Sequence, residues 1–166
     1  SSSEADGIRA ELEALLGAPP CRLPKSVDIG DIKMDDIPVT RGMWAEVLDL
    51  PPPADGQDEP VTGMSWDQSA AWCNVRSVRE GLTPAYVFHD SNGDRVSSAE
   101  IACGDAYAVY VYECSEVDGY RLPTSEEWEQ AARDGSDPEV GLEFYGPATE
   151  IAVFNVAEVT DVATKK

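Results

Sequence analysis

The 166 residues carry 12 basic and 32 acidic side chains, a formal charge of -20, with 42% hydrophobic content. Such a charge repels phosphate backbones and anionic lipid, so neither a nucleic-acid partner nor a membrane is expected. The acids are scattered rather than blocked, which reads as a solvated surface ahead of a surface built for cations or basic partners.

The size and apolar content suit one domain with a real core. No apolar run approaches the roughly 20 residues of a membrane span. The polar, acidic start Ser1–Asp6 is unlike a signal peptide, so a cytoplasmic setting is expected. The cysteines are Cys21, Cys73, Cys103 and Cys114, none in a Cys-x-x-Cys pair, and His89 is the single histidine. That set offers no zinc cluster.

Residues 4–16 read as an amphipathic helix with Ile8, Leu12, Leu15 and Leu16 on one stripe, ended by Gly17 before Pro19 and Pro20. We take residues 1–26 as this helix and a linker, and 27–166 as the domain proper. Val27 to Met34 reads as an opening strand. A helix capped by Thr40 follows from Arg41 to Leu50, buried through Trp44, Val47 and Leu48, and Pro51 ends it. Ser65 and Gln68 form a capping box for a helix that Gly81 stops near Glu80. Its inward stripe is Trp66, Ala70, Cys73 and Ser77, widened by Ala71, Val75 and Val78. Cys73 is therefore expected to be a buried thiol.

Tyr86 to His89 reads as a strand, and Asn92-Gly93 as a turn. The run Asp90–Asp94 superficially suggests a calcium loop, but Arg95 and Ile101 stand where an EF-hand needs glycine and glutamate. Ala106 to Glu113 alternates like a half-buried strand, flanked by Cys103 and Cys114, which an oxidising compartment could pair. Thr124 and Glu127 form another capping box, opening a helix whose apolar face is Trp128, Ala131 and Ala132, ended by Gly135. Arg121 and Arg133 are expected to pair with Glu126 or Glu129. The four tryptophans are expected in the core.

The run Tyr120-Arg121-Leu122-Pro123-Thr124 with Trp128-Glu129 and Ala131-Ala132-Arg133 closely resembles a block of the formylglycine-generating enzyme family, the sulfatase-modifying factors. Pro38–Trp44, Pro60–Asp67 with Ala70–Asn74, and Gly81–Tyr86 resemble that family's earlier elements, in its order. The resemblance runs from about Asp36 to about Asn155. Cys73-Asn74-Val75-Arg76 departs from the family's Cys-Asn-Trp-Leu.

The resemblance implies an α+β, C-type-lectin-like fold, with two main helices on a small twisted antiparallel sheet and the domain's C-terminal half missing from this chain. It implies structural calcium near Asn155 and the Val156 carbonyl, with Asp161 able to add a carboxylate. An ordinary loop asparagine fits the same residues. Family catalysts use a cysteine pair in their C-terminal half, where copper binds. None of the four cysteines matches that pair, so no catalytic residue is carried over, and copper is expected only if the missing half supplies it.

The expected role is a non-catalytic protein-binding or regulatory module, of the kind found in multi-component bacterial systems. It would be completed by a C-terminal segment or a complementary second chain of the same domain. The alternative is part of a copper-dependent oxidase converting a sulfatase cysteine to formylglycine. An iron-dependent sulfoxide synthase would need a histidine-rich partner domain.

Overall fold

The computed structural model describes residues 24–133. The chain opens with a hairpin, β1 (Ser26–Ile29) and β2 (Ile32–Asp35), paired antiparallel from Ser26↔Asp35 to Ile29↔Ile32. The single strand expected over this stretch is thus two. Gly30 sits at φ +61°, a left-handed conformation glycine adopts without strain, and reverses the chain there.

Helix α1 (Arg41–Val47) begins where Thr40 Oγ1 accepts a hydrogen bond from the Met43 N–H at 3.1 Å. The free N–H groups of its first turn are also met from outside: Arg41 N–H donates to Glu59 O and Gly42 N–H to Gln57 O, both at 2.9 Å. The acidic loop is therefore folded back on the helix start, and Arg41 binds the Glu59 carboxylate at 3.0 Å. The helix ends at Val47, short of the expected Leu50. Its fully buried residues are Gly42, Met43 and Ala45, while Trp44, Val47 and Leu48 are only partly buried against the core.

Helix α2 (Trp66–Arg79) is the central element. Ser65 and Gln68 make the expected reciprocal bonds at 2.8 and 3.1 Å, and Gly81 at φ +77° follows its last turn. Ala70, Ala71, Trp72, Cys73, Asn74 and Ser77 are buried. The small residues among them let a neighbouring helix approach closely. That neighbour, α3 (Ser98–Cys103), was not expected, and its Ile101 and Ala102 are buried against the core. Two members of the expected stripe lie outside it: Trp66 is 55% exposed and Val78 is also exposed. They occupy the first and last turns of α2, where Trp66 meets only the edge of the Tyr86 ring, at 5.7 Å between centroids, and keeps the rest of its surface in water.

Strands β3 (Tyr86–His89) and β4 (Tyr110–Glu113) form a second antiparallel pair, from Tyr86↔Glu113 to His89↔Tyr110. The expected strand over 106–113 is shortened to its last four residues. Ala106 and Ala108 instead pack on the core from an irregular segment. The Asn92-Gly93 turn is present, with Gly93 at φ +85° and the Asp90 carboxylate accepting from the Asn92 and Asp94 N–H groups. Those bonds to the charged form hold the Asp90 pKa below its usual value.

Helix α4 (Ser125–Arg133) starts with the expected Thr124–Glu127 box. Its Trp128 is 61% exposed rather than in the core. Among the described residues the architecture is therefore four helices and two small antiparallel sheets. No helix among them is long and apolar enough to cross a membrane. The expected helix over 4–16 and the Gly135 stop lie outside the described residues.

Candidate functional site

The middle of α2 organises the functional region through three polar side chains. Asn74 is buried and spends its amide on β3. Its Nδ2 donates to Tyr86 O at 2.7 Å and to Ser98 Oγ at 3.0 Å, and its Oδ1 accepts from Tyr86 N–H at 3.0 Å. One residue thus joins helix α2, strand β3 and helix α3. Ser77 donates to Cys73 O and accepts from Tyr120 N–H, both at 2.8 Å. Gly119 is required beside it, since a Cβ there would collide with the Thr83 carbonyl oxygen.

Arg76 is the third. It binds Asp35 of β2 at 2.5 Å and Glu80 at 3.0 Å, and its guanidinium lies 3.8 Å over the Tyr120 ring. The Tyr120 hydroxyl closes the group by donating to Glu80 at 2.6 Å. On its other side is Trp72, stacked on Trp44 with ring centroids 5.8 Å apart. Burial disfavours the Arg76 charge, but the Asp35 and Glu80 carboxylates outweigh it and hold its pKa above the usual value. The Val75-Arg76 departure from the family pattern therefore supplies a latch between the first hairpin, α2 and the approach to α4.

That approach is fixed in turn. Leu122 N–H donates to the Tyr86 hydroxyl at 3.0 Å. Arg121 forms a two-pronged pair with Glu127 at 2.6 and 2.7 Å, rather than with Glu126 or Glu129. The Arg121 guanidinium and the Thr124 N–H lower the Glu127 pKa to about 2. Glu127 therefore serves the helix start and is not a proton donor at neutral pH.

The β3–β4 pair has two unlike faces. Tyr86 and Phe88 of β3 are buried, with Val111 of β4 packed beside them. On the opposite face the register sets Tyr112 beside Val87 and Tyr110 beside His89. Tyr110 is 52% and Tyr112 58% exposed, and the adjoining Tyr107 and Val109 are 75% and 46% exposed. His89 meets Tyr112 edge to face at 5.5 Å, and its buried Nδ1 has no hydrogen-bond partner among the described residues.

Among the described residues the three thiols are not brought together. Burial pushes the Cys73 pKa up to about 12, with Arg76 opposing only in part. Cys103, at the end of α3, and Cys114, leaving β4, are both free rather than joined. Cys114 is instead tied to the strand start, its N–H donating to Ala85 O at 2.7 Å. Among the described residues no three His, Cys, Asp or Glu side chains are grouped to hold a metal ion. Asn155, Val156 and Asp161 lie outside the described residues, as does Cys21.

Sequence reasoning missed α3 and the Arg76 latch, and its half-buried strand over 106–113 left open which side chains of β4 are exposed. A signal for α3 was present: Ser97 with Glu100 has capping-box spacing ahead of Ile101-Ala102, and Gly104 follows.

Among the described residues, four helices and two small antiparallel sheets joined by long irregular connections make an α+β domain of the C-type-lectin-like class. The chain belongs to the family of the sulfatase-modifying factor enzyme 1-like domain, whose model matches residues 22–146. It is 33% identical over 112 residues to the "Chaperone protein LppX" of Paenibacillus barcinonensis, covering 67% of this chain and 39% of that protein. The chain thus spans well under half the length of that curated relative.

Two solved structures share the fold. "Treponema denticola variable protein 1" superposes with a TM-score of 0.52 at 23% identity, over 70% of this chain and 58% of that one. CarF superposes with a TM-score of 0.59 at 20% identity, over 89% of this chain and 70% of that one.

Proposed function

We propose that this chain is a non-catalytic, polypeptide-binding part of a sulfatase-modifying-factor-like domain, and that the outer face of β4 makes the contact. The observation that carries this reading is the exposed pair Tyr110 and Tyr112 on the outer face of β4, with the exposed Tyr107 and Val109 just before the strand in the chain. Tyrosine suits such a surface because it offers large apolar area with little rotamer freedom to lose. The rigid support behind it, Asn74 to Tyr86 to Leu122, keeps the strand in place without using the outer side chains. A role in holding polypeptide also agrees with the name of the longer relative, a chaperone protein.

The buried Cys73, with its raised pKa, does not fit a copper thiolate or a nucleophile. Calcium at Asn155, Val156 and Asp161 stays part of the proposal as a structural ion, and it would need further oxygen ligands.

A holding assay tests the reading. Denatured citrate synthase is diluted into buffer with the chain, and light scattering is followed. The chain should suppress scattering, and the double variant Tyr110→Ser with Tyr112→Ser should lose this effect at an unchanged melting temperature. Equal suppression by the double variant, or none by the original chain, counts against the β4 face. Formylglycine appearing by mass spectrometry in a Cys-x-Pro-x-Arg peptide, after incubation with copper and oxygen, would favour the oxidase alternative.

A further inference from the structure

From Val96 to Tyr120 the chain holds no Lys, Arg or His, and its acids there are Glu100, Asp105, Glu113, Glu116 and Asp118. The same stretch carries Tyr107, Tyr110 and Tyr112. Elsewhere Asp35, Asp49, Glu59 and Glu127 each hold an arginine. Asp105, Glu113 and Glu116 are exposed and hold no basic side chain in an ion pair among the described residues. Arg121 feels the charge of Glu113 but is committed to Glu127. Exposed rings and uncompensated carboxylates therefore share one short piece of chain.

The chain already shows how such a pair of groups holds a cation. The Arg76 guanidinium lies 3.8 Å over the Tyr120 ring while Glu80 takes its Nε at 3.0 Å. Tyr110 and Tyr112 present rings of the same kind to solvent. One group opposes a second cation on this face. The bridge between His89 and Arg95 sets Arg95 in the row of Tyr110, across from His89. The Tyr112 end lies farther from Arg95 and next to Glu113.

We propose that the polypeptide taken by the β4 face is basic: an extended segment whose Lys or Arg lies over the Tyr112 ring. Its apolar neighbours cover Tyr110 and Val87. The ring face attracts the cation, and the unpaired acids around it raise the encounter rate and reject acidic segments. This inference rests on the polypeptide-binding reading above and adds the chemistry of the partner.

Three labelled peptides of repeated Gly-Leu-Xaa, with Xaa as Arg, Gln or Glu, are titrated with the full chain and followed by fluorescence anisotropy. The Arg peptide should bind about tenfold more tightly than the Gln peptide, with the Glu peptide weakest, and salt should shrink the difference. Tyr112→Phe should keep the Arg preference. Tyr112→Leu keeps apolar bulk without a ring face, and should cut the preference by about threefold. Neutralising Asp105, Glu113 and Glu116 together, as Asn, Gln and Gln, should cut it by a similar factor. Equal affinity for the Arg and Gln peptides, with both lost in Tyr110→Ser/Tyr112→Ser, overturns the inference and leaves the polypeptide-binding reading standing. An Arg preference that survives in that double variant, at an unchanged melting temperature, assigns it to overall charge and also overturns the inference. Binding of none of the three peptides overturns both.

Discussion

Tyr86 and Phe88 on the inner face of the β3–β4 pair are closed off from water, whereas Tyr110 and Tyr112 on the outer face are more than half exposed. The same four-residue ladder carries both. A strand alternates its side chains between faces, so it can give one set to the core and leave the other free. The inner set is held by direct packing and by Asn74. The outer set is held chiefly through the backbone beneath it, with Tyr112 also resting edge to face on His89. The load of stability thereby falls on the inner side of the sheet, and the outer tyrosines are expected to change with little effect on folding.

The largest expected effect lies on the inner face. Phe88→Ala should remove about 3–5 kcal/mol of stability, measured by chemical denaturation, through lost burial and the cavity left behind. A loss below about 1 kcal/mol would mean that the inner face is not the core. Asn74→Ala should come next. It leaves the Tyr86 N–H and C=O without their partners in a buried setting, at a cost of about 3 kcal/mol. A melting temperature equal to that of the original chain would show that Asn74 does not join α2 to β3.

Glu127 gives a smaller, pH-dependent effect. Its folded pKa, about 2, lies below the ordinary 4.5, because Arg121 and the Thr124 N–H favour the charged form. The pairing stabilises the fold above the unfolded pKa, and that contribution is lost as pH falls from 4.5 toward 2. Glu127→Gln should therefore be about 1 kcal/mol less stable than the original chain at neutral pH. The gap should close on acidification. Melting curves across that range decide it, and a pH-independent gap would contradict the assignment. The smallest effect belongs to the outer face. Tyr110→Ser and Tyr112→Ser should each change stability by no more than about 0.5 kcal/mol. A larger loss would show that these rings support the fold.

Local chemistry made much of the chain legible. The Ser65–Gln68 and Thr124–Glu127 boxes, the Thr40 cap and the turns at Gly81 and Gly93 depend on residues a few positions apart. Less legible were features set by distant neighbours. Trp66 and Trp128 share composition with Trp72, yet only Trp72 meets enough packed surface to be buried. Arg76 reads as a surface arginine at the end of a helix, because Asp35 and Tyr120 are 41 and 44 positions away in the chain.

The sequence by itself determined the capped starts at Thr40, Ser65 and Thr124, the stop at Gly81, the family pattern and the burial of Cys73, since caps, glycine turns and apolar periodicity act within a turn or two of chain. Only the tertiary structure decided that Asn74 joins three elements, that Arg76 is a latch and that the β4 tyrosines stay in water. Those outcomes depend on which surfaces meet across the fold, and hydrogen bonding and desolvation act through space rather than along the chain.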